Sequence, residues 1–371
     1  MVPRVHVITQ KNYIRDGANC KPCNPPTLDA SSGPPSIPRL AYLPPELFDE
    51  IISYFRAFPS DWYYDGRTTG IPENVYAERT VTLRALACTC KEIRAVAYPR
   101  LWSRLDLCFT PTHARGTWYK YVMQNLKVKA EGLRTLDATT RGHIRAVTFT
   151  VTQYQLETHL PYVRTLLEQL PSIHSIQIIQ CKVPAKFRAA IKGLSLPSVR
   201  KLIIPNETHA LVSACPNVTH VRCAGGPGNG LIWALRGLNV EALDGMIDWC
   251  HDERLAQRLV TYAPHLTTLE IRHPVDRLSA VDGRVCTVPA EWATVIPALS
   301  GLKQLRALTL TLPNRNEVPT DAPIIDAARE VLRQSTLSGA KKLVVRRIEA
   351  PRYDQPPLDA DLLVHSHTEF F

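Results

Sequence analysis

A short apolar cluster, Φ-x-x-Φ-x-Φ with Φ an apolar residue, recurs through residues 111–350 and constrains the fold more than any other feature. It stands at Ile144/Val147/Phe149, Ile173/Ile176/Ile178, Val199/Leu202/Ile204, Val218/Val221/Cys223, Leu266/Leu269/Ile271 and Leu305/Leu308/Leu310. Weaker copies begin at Val240, with Leu243, and at Ala340, with Leu343 and Val345. Successive starts lie 29, 26, 19, 22, 26, 39 and 35 residues apart. Alternating apolar residues in each cluster specify a short strand with one buried face. Helical patterns lie between clusters at Ala185–Leu194, His209–Cys215, Arg254–Tyr262 and Ile324–Arg333, and Pro171, Pro197, Pro216 and Pro264 separate helix from strand. One strand and one helix cannot bury their apolar faces alone, so consecutive units must stack.

Most of these intervals fall in or near the window of about 20–29 residues typical of leucine-rich repeats, and the last two leave room for insertions. Cys181 follows Ile178 where such repeats carry Cys or Asn. The expected fold class is α/β: a curved solenoid over 111–350 with a parallel sheet inside and helices outside. An ordinary α/β sheet alternates in the same way, but intervals of 19 and 22 residues are short for a full crossover with its loops. Residues interleaved with the Φ positions should face out on the concave surface. They include Gln177, Lys201, Ile203, His220, Arg222, Asp244, Glu270, Arg272, Lys342 and Arg346. Gln177, Lys201, His220, Arg222, Asp244, Glu270 and Arg272 are the search area for a target, and their mixed charge with a basic excess suits an acidic patch on a protein.

Residues 1–40 end in CNPPTLDASSGPPSIPRL, which buries little apolar area and reads as a flexible arm. Residues 41–110 read as a compact helical domain. Leu43-Pro44-Pro45-Glu46 opens a helix, with Pro in the first turn and Glu46, Asp49 and Glu50 complementing its dipole. Leu47, Ile51, Ile52 and Phe55 then mark one face. Leu83, Leu86, Ala87, Cys90, Ile93, Val96 and Ala97 mark a second helix, expected to end at Pro99. Residues 56–80 form a polar insertion between them, and residues 351–371 read as a C-terminal tail.

The ordered pair LPPELFDEIISYF and TLRALACTCKEIRAVAYPRLWSRLDL resembles the F-box of fungal F-box proteins. Its second block matches at Leu83–Lys91 and at Leu101–Leu107. The linker between the blocks is longer than usual, and Ile93 stands about where a Trp is often found. The resemblance implies docking on the SKP-type adaptor of a cullin–RING ubiquitin ligase, through Leu43, Pro44, Pro45, Leu47, Ile51, Ile52, Leu83, Leu86 and Cys90. It also implies that the rest of the chain recruits an unknown protein target. The chain would then be a non-catalytic substrate receptor. The alternatives are a repeat scaffold whose helical unit packs on its own solenoid, and a nucleic-acid-binding solenoid.

The remaining features bound the function. Charge is +3 over 1–42, −1 over 43–110 and +8 over 111–371, with no dense basic block. The strands lack the interleaving of aromatic and basic residues that single-stranded nucleic acid requires. No uncharged apolar run approaches the length of a membrane span, and MVPRVHVITQKNYIRDG is not a secretory signal. An intracellular protein with reduced thiols is expected. Cys20 and Cys23 form one C-x-x-C without the second pair that zinc needs. Gly225–Gly230 is followed by no Lys-Ser/Thr and reads as a turn feeding a helix, not a phosphate loop. Asp248, Cys250, His251 and Asp252 are adjacent in sequence, which is not catalytic geometry, and His365 and His367 have no companion ligands. No catalytic residue, metal site or cofactor is expected.

Overall fold

The second apolar residue of every cluster falls in one column of a single sheet. Val147 pairs with Ile176, Ile176 with Leu202, Leu202 with Val221, Val221 with Leu243, Leu243 with Leu269, Leu269 with Leu308, and Leu308 with Leu343. These pairings come from a computed structural model that describes residues 43–55, 75–109, 116–247, 253–272, 291–313, 321–348 and 363–371. The N-terminal arm with Cys20 and Cys23, residues 56–74 of the insertion, and Asp248–Asp252 lie outside the described residues.

The sheet has ten strands in chain order: β1 Arg104–Asp106, β2 Ala146–Val151, β3 Ser175–Cys181, β4 Lys201–Ile204, β5 His220–Cys223, β6 Ala242–Ile247, β7 Thr268–Arg272, β8 Ala307–Pro313, β9 Lys342–Ile348 and β10 Leu363–Phe370. All neighbours are parallel except β9 and β10, which run antiparallel. The architecture is therefore mixed α/β with a ten-stranded, mostly parallel sheet.

A repeated backbone device sets each strand in place. The carbonyl just before one strand accepts two successive N–H groups at the entrance to the next. Arg145 O takes His174 and Ser175, His174 O takes Arg200 and Lys201, and Arg200 O takes Thr219 and His220. Thr219 O, Glu241 O and Thr267 O continue the series. The first apolar residue of the six stronger clusters also closes a tight turn: the N–H groups of Ile144, Ile173, Val199, Val218, Leu266 and Leu305 each donate three residues back. Units of unequal length thus share one entrance geometry, and the excess residues go to the connections.

Two corrections concern the ends of the sheet. Residues 104–106, assigned to the exit of the helical unit, form the first strand, since Leu105 pairs with Val147 and joins the main core. The segment 351–371 is not simply a tail, because β10 pairs along β9 and Arg329 holds Glu369 with Nε donating to Oε2 at 2.8 Å.

The helices, numbered in chain order, are α1 Pro45–Ser53, α2 Val75–Ala87, α3 Lys91–Trp102, α4 Trp118–Thr135, α5 Ala138–His143, α6 Leu156–His159, α7 Pro161–Glu168, α8 Pro184–Ala190, α9 Asn229–Ala234, α10 Glu253–Tyr262, α11 Glu291–Val295 and α12 Ala322–Gln334. Helices from α4 onward, apart from α5, bury apolar residues on one face of the sheet. Leu126 and Leu133 of α4, Val163 and Leu166 of α7, Leu259 of α10 and Val331 of α12 share one continuous core with the Φ residues. A second, small core holds only Phe48, Ile52, Leu83, Ala87, Ile93 and Ala97, all from α1–α3.

The single helix expected over 83–97 is two helices. Cys90 is extended at φ −150° and ψ 170° and starts α3, while the Thr89 hydroxyl caps the Leu86 carbonyl at 2.7 Å. Helix α2 begins at Val75, so the insertion is shorter than 56–80. Pro99 does not end α3 either. Proline removes one backbone donor, but Arg100 Nη1 donates to the Val96 carbonyl at 2.8 Å and Ser103 Oγ to the Arg100 carbonyl at 2.7 Å, closing the last turn.

Candidate functional site

Two surfaces carry side chains that the cores leave over. The first is helix α1. Leu47, Phe48, Ile51 and Ile52 form two adjacent apolar stripes, and only one of them fits against α2 and α3. Phe48 and Ile52, one turn apart, are each 2% exposed, whereas Leu47 is 46% and Ile51 42% exposed. The expected common face of Leu47, Ile51, Ile52 and Phe55 is therefore divided, and Phe48 is the inward residue that reading missed. Its signal was the i, i+4 spacing to Ile52. Tyr54 and Val81 add further exposed apolar surface.

The other residues singled out in this unit also separate. Pro44 and Pro45 are exposed at the N-terminus of α1, and Leu43 is half-buried. Leu83 belongs to the small core, with Leu86 and Cys90 packed half-buried against it. Of the residues proposed to dock, Ile52 and Leu83 are thus structural, and Leu47 and Ile51 are free to meet another surface.

The helical unit reaches the sheet through α2 and α3 instead. Tyr76 packs with Cys108, Phe109 and Ile179. Tyr98 Oη lies 3.4 Å from Thr140 Oγ1 of α5.

The second surface is the face of the sheet opposite the main core. At its N-terminal end Arg104 is fully engaged: Nε donates to Asp106 at 2.7 Å, and Nη2 to Thr148 Oγ1 at 2.6 Å and Gln177 Oε1 at 2.9 Å. Gln177 is consequently buried, and Ile203 in the next strand is buried too, contrary to the expectation that both stand open. Lys201 and His220, paired across β4 and β5, are exposed.

Farther along, Glu270 is only 4% exposed, again contrary to expectation. Arginines from neighbouring strands cover it. Arg222 Nη2 lies 3.5 Å from Oε2, Arg346 Nη1 lies 3.4 Å from Oε1, and the Thr311 hydroxyl donates to Oε1 at 3.0 Å. Burial works against the charge of Glu270, yet Arg222, Arg272 and Arg346 hold its carboxyl below the usual range. Burial, and then Glu270 itself, pushes the half-buried Asp244 the other way.

Gly245 makes this arrangement possible. It sits at φ +70° where the register of β6 shifts, and a Cβ there would lie 2.5 Å from the Cys223 carbonyl and 3.3 Å from Arg222 Cγ. The Arg222 stem crosses β6 through the space that a side chain would fill.

The other motifs have structural explanations. Asn206 Oδ1 accepts from Gly230 N at 2.8 Å and Leu231 N at 3.2 Å, so the N-terminus of α9 is already capped from another unit. Cys181, Cys215 and Cys223 are buried thiols pushed up to about 12, which keeps them protonated at neutral pH. His367 meets Glu369 at 3.2 Å. Among the described residues no group of three or more His, Cys, Asp or Glu is placed to hold a metal, and no helix is long and apolar enough to cross a membrane.

Compared with known proteins, the chain matches no family model and no curated sequence.

Proposed function

We propose that this protein is the substrate-recognition subunit of an SCF-type cullin–RING ubiquitin ligase: a small F-box unit holds the SKP-type adaptor, and a leucine-rich-repeat solenoid presents a protein target. The reading rests on the residues in 43–55 and 83–107 that resemble an F-box. The observation that carries it is the division of α1, where Phe48 and Ile52 complete the unit's own core while Leu47 and Ile51 remain exposed beside them. Apolar side chains held outward on a unit with so small a core are suited to burial against a partner. In this reading no residue of the chain does chemistry. Holding a target beside a ubiquitin-conjugating enzyme raises its effective concentration, and that accounts for the rate.

The competing scaffold reading requires α1 to pack its apolar face back on the repeats. The buried partners of Phe48 and Ile52 all lie in α2 and α3, which favours the receptor.

Co-purification with the adaptor tests the proposal. The wild-type chain is expected to give a roughly stoichiometric complex, and a Leu47→Asp/Ile51→Asp variant to lose it while unfolding at nearly the same temperature, since exposed positions tolerate substitution within about 0.5 kcal/mol. Ile52→Ala is expected to cost about 2–4 kcal/mol of stability in the helical unit. Folded wild-type protein that forms no complex would overturn the reading.

A further inference from the structure

The cluster around Glu270 has more donors than it can use. Arg222 on β5 and Arg346 on β9 each cross an intervening strand to reach Glu270 on β7, a span of about 10 Å on either side. Arg272 lies on β7 itself, and its buried Nε has no hydrogen-bond partner. Each guanidinium carries five N–H donors, whereas a carboxylate offers about four acceptor positions. One of those positions is taken by Thr311. The contacts of Arg222 and Arg346 to Glu270, at 3.5 and 3.4 Å, are longer than the roughly 2.7–2.9 Å of a charge-assisted hydrogen bond. Asp244 on β6 is half-buried beside the group and interacts with Arg222 as well as with Glu270, so it offsets one further positive charge. Arg346 is 43% exposed along its side chain, and Lys201 and Lys342 are exposed on the same face.

We propose that Arg222, Arg272 and Arg346 form a seat for a side-chain carboxylate from an acidic segment of a partner protein, with Glu270 as the fixed counter-charge that gathers the three guanidiniums. Three guanidiniums against Glu270 and Asp244 leave a net charge of +1, and an incoming carboxylate offsets that excess while accepting donors that Glu270 does not fully engage. Planar guanidiniums suit the task because they recognise a carboxylate through two parallel bonds. Gly245 is part of the construction, since it admits the Arg222 stem across β6. The inference names the class of target for the receptor reading and rests on that reading for its biological role, but the binding itself needs no adaptor.

The full chain, without adaptor, would be titrated into fluorescently labelled Glu-rich peptides and followed by anisotropy, with the Gln-substituted peptides and a labelled oligonucleotide as comparisons. Binding of the Glu-rich peptides is expected. Arg346→Gln should weaken it about tenfold or more, Arg346→Lys less, and the distant Lys192→Gln not at all. Arg346→Gln also takes a counter-charge from the buried Glu270 and should lower the unfolding temperature, so Arg346→Lys, which keeps that charge, separates loss of the carboxylate fork from loss of fold, and Arg222→Gln supplies a second loss. Absence of binding to the Glu-rich peptides, equal binding of the Gln-substituted ones, or indifference to both Arg→Gln changes would overturn the proposal. So would stronger, steeply salt-dependent binding of the oligonucleotide. An intact adaptor complex with no peptide binding would defeat this inference alone, and peptide binding without an adaptor complex would defeat the ligase reading alone.

Discussion

Arg100 reaches across 51 residues of sequence to Asp49, with Nη2 donating to Oδ2 at 2.8 Å. The same guanidinium lies 5.1 Å from the centre of the Phe48 ring and also donates to the Val96 carbonyl. One side chain thus ties α1 to the last turn of α3 and covers the small core.

Asp49→Asn is expected to destabilise the helical unit by at most about 1 kcal/mol, because the Asp49 carboxylate is largely exposed. The hydrogen bond from Arg100 holds the Asp49 carboxyl below its usual range. Its contribution is therefore complete above the unfolded value of about 3.9 and is lost as the pH falls through the lower folded value. Unfolding curves of wild type and Asp49→Asn should differ near neutrality and converge in acid. A difference that persists at the acid end would assign the effect to packing.

Gly245→Ala should be costly for two reasons that a control can separate. Gly237 also has a positive φ, +80°, but a Cβ there meets nothing within 4 Å. Gly237→Ala should then show backbone strain alone, about 1 kcal/mol. At Gly245 the added carbon meets the Cys223 carbonyl and the Arg222 stem, and the loss should be greater by about 1–2 kcal/mol. Denaturant titration of both variants gives the comparison, and equal losses would mean that β6 yields without disturbing Arg222.

Lys129 gives the chain an alkaline signature. Its Nζ donates to the Asp106 carbonyl, and burial brings its pKa down to about 8. In the unfolded chain a lysine keeps its proton to about 10.4. Between these values the unfolded state binds more protons, so stability should rise with pH across that window. Lys129→Met removes the slope, so its stability relative to wild type should fall as the pH rises from about 8 to about 10.4. Stability measured from pH 7 to 10.5 in both proteins would show whether the slope belongs to Lys129.

The sheet was legible because each cluster repeats a burial pattern, and the six stronger ones add a local turn of their own. The second-Φ column from Val147 to Leu343 could be placed without knowing the lengths between units. The two end strands were harder for different reasons. Trp102, Leu105 and Leu107 also fit Φ-x-x-Φ-x-Φ, but they stand where the F-box resemblance expects its exit. β10, LVHSHTEF, has no cluster at all, because its pairing is imposed by β9 and its charge is answered by Arg329. On α1 the sequence offered two apolar stripes of similar strength. Leu83, Ile93 and Ala97 select the Phe48–Ile52 stripe, a tertiary fact that periodicity does not contain. Gln177 and Glu270 followed the predicted alternation yet are buried, because Arg104, Arg222 and Arg346 fold over them from other strands.

The reversal of the last strand has a consequence for the molecule as a whole. A row of parallel units offers the same polarity at each new edge, so nothing within it dictates where it should stop. A second molecule could add its first strand to the last of another and extend the row into a fibre. β10 changes the direction, and Phe371 and Lys341 exchange backbone hydrogen bonds that fasten it down. The edge of β9 is therefore already taken by an antiparallel strand of the same chain, and a parallel strand from another copy cannot pair there.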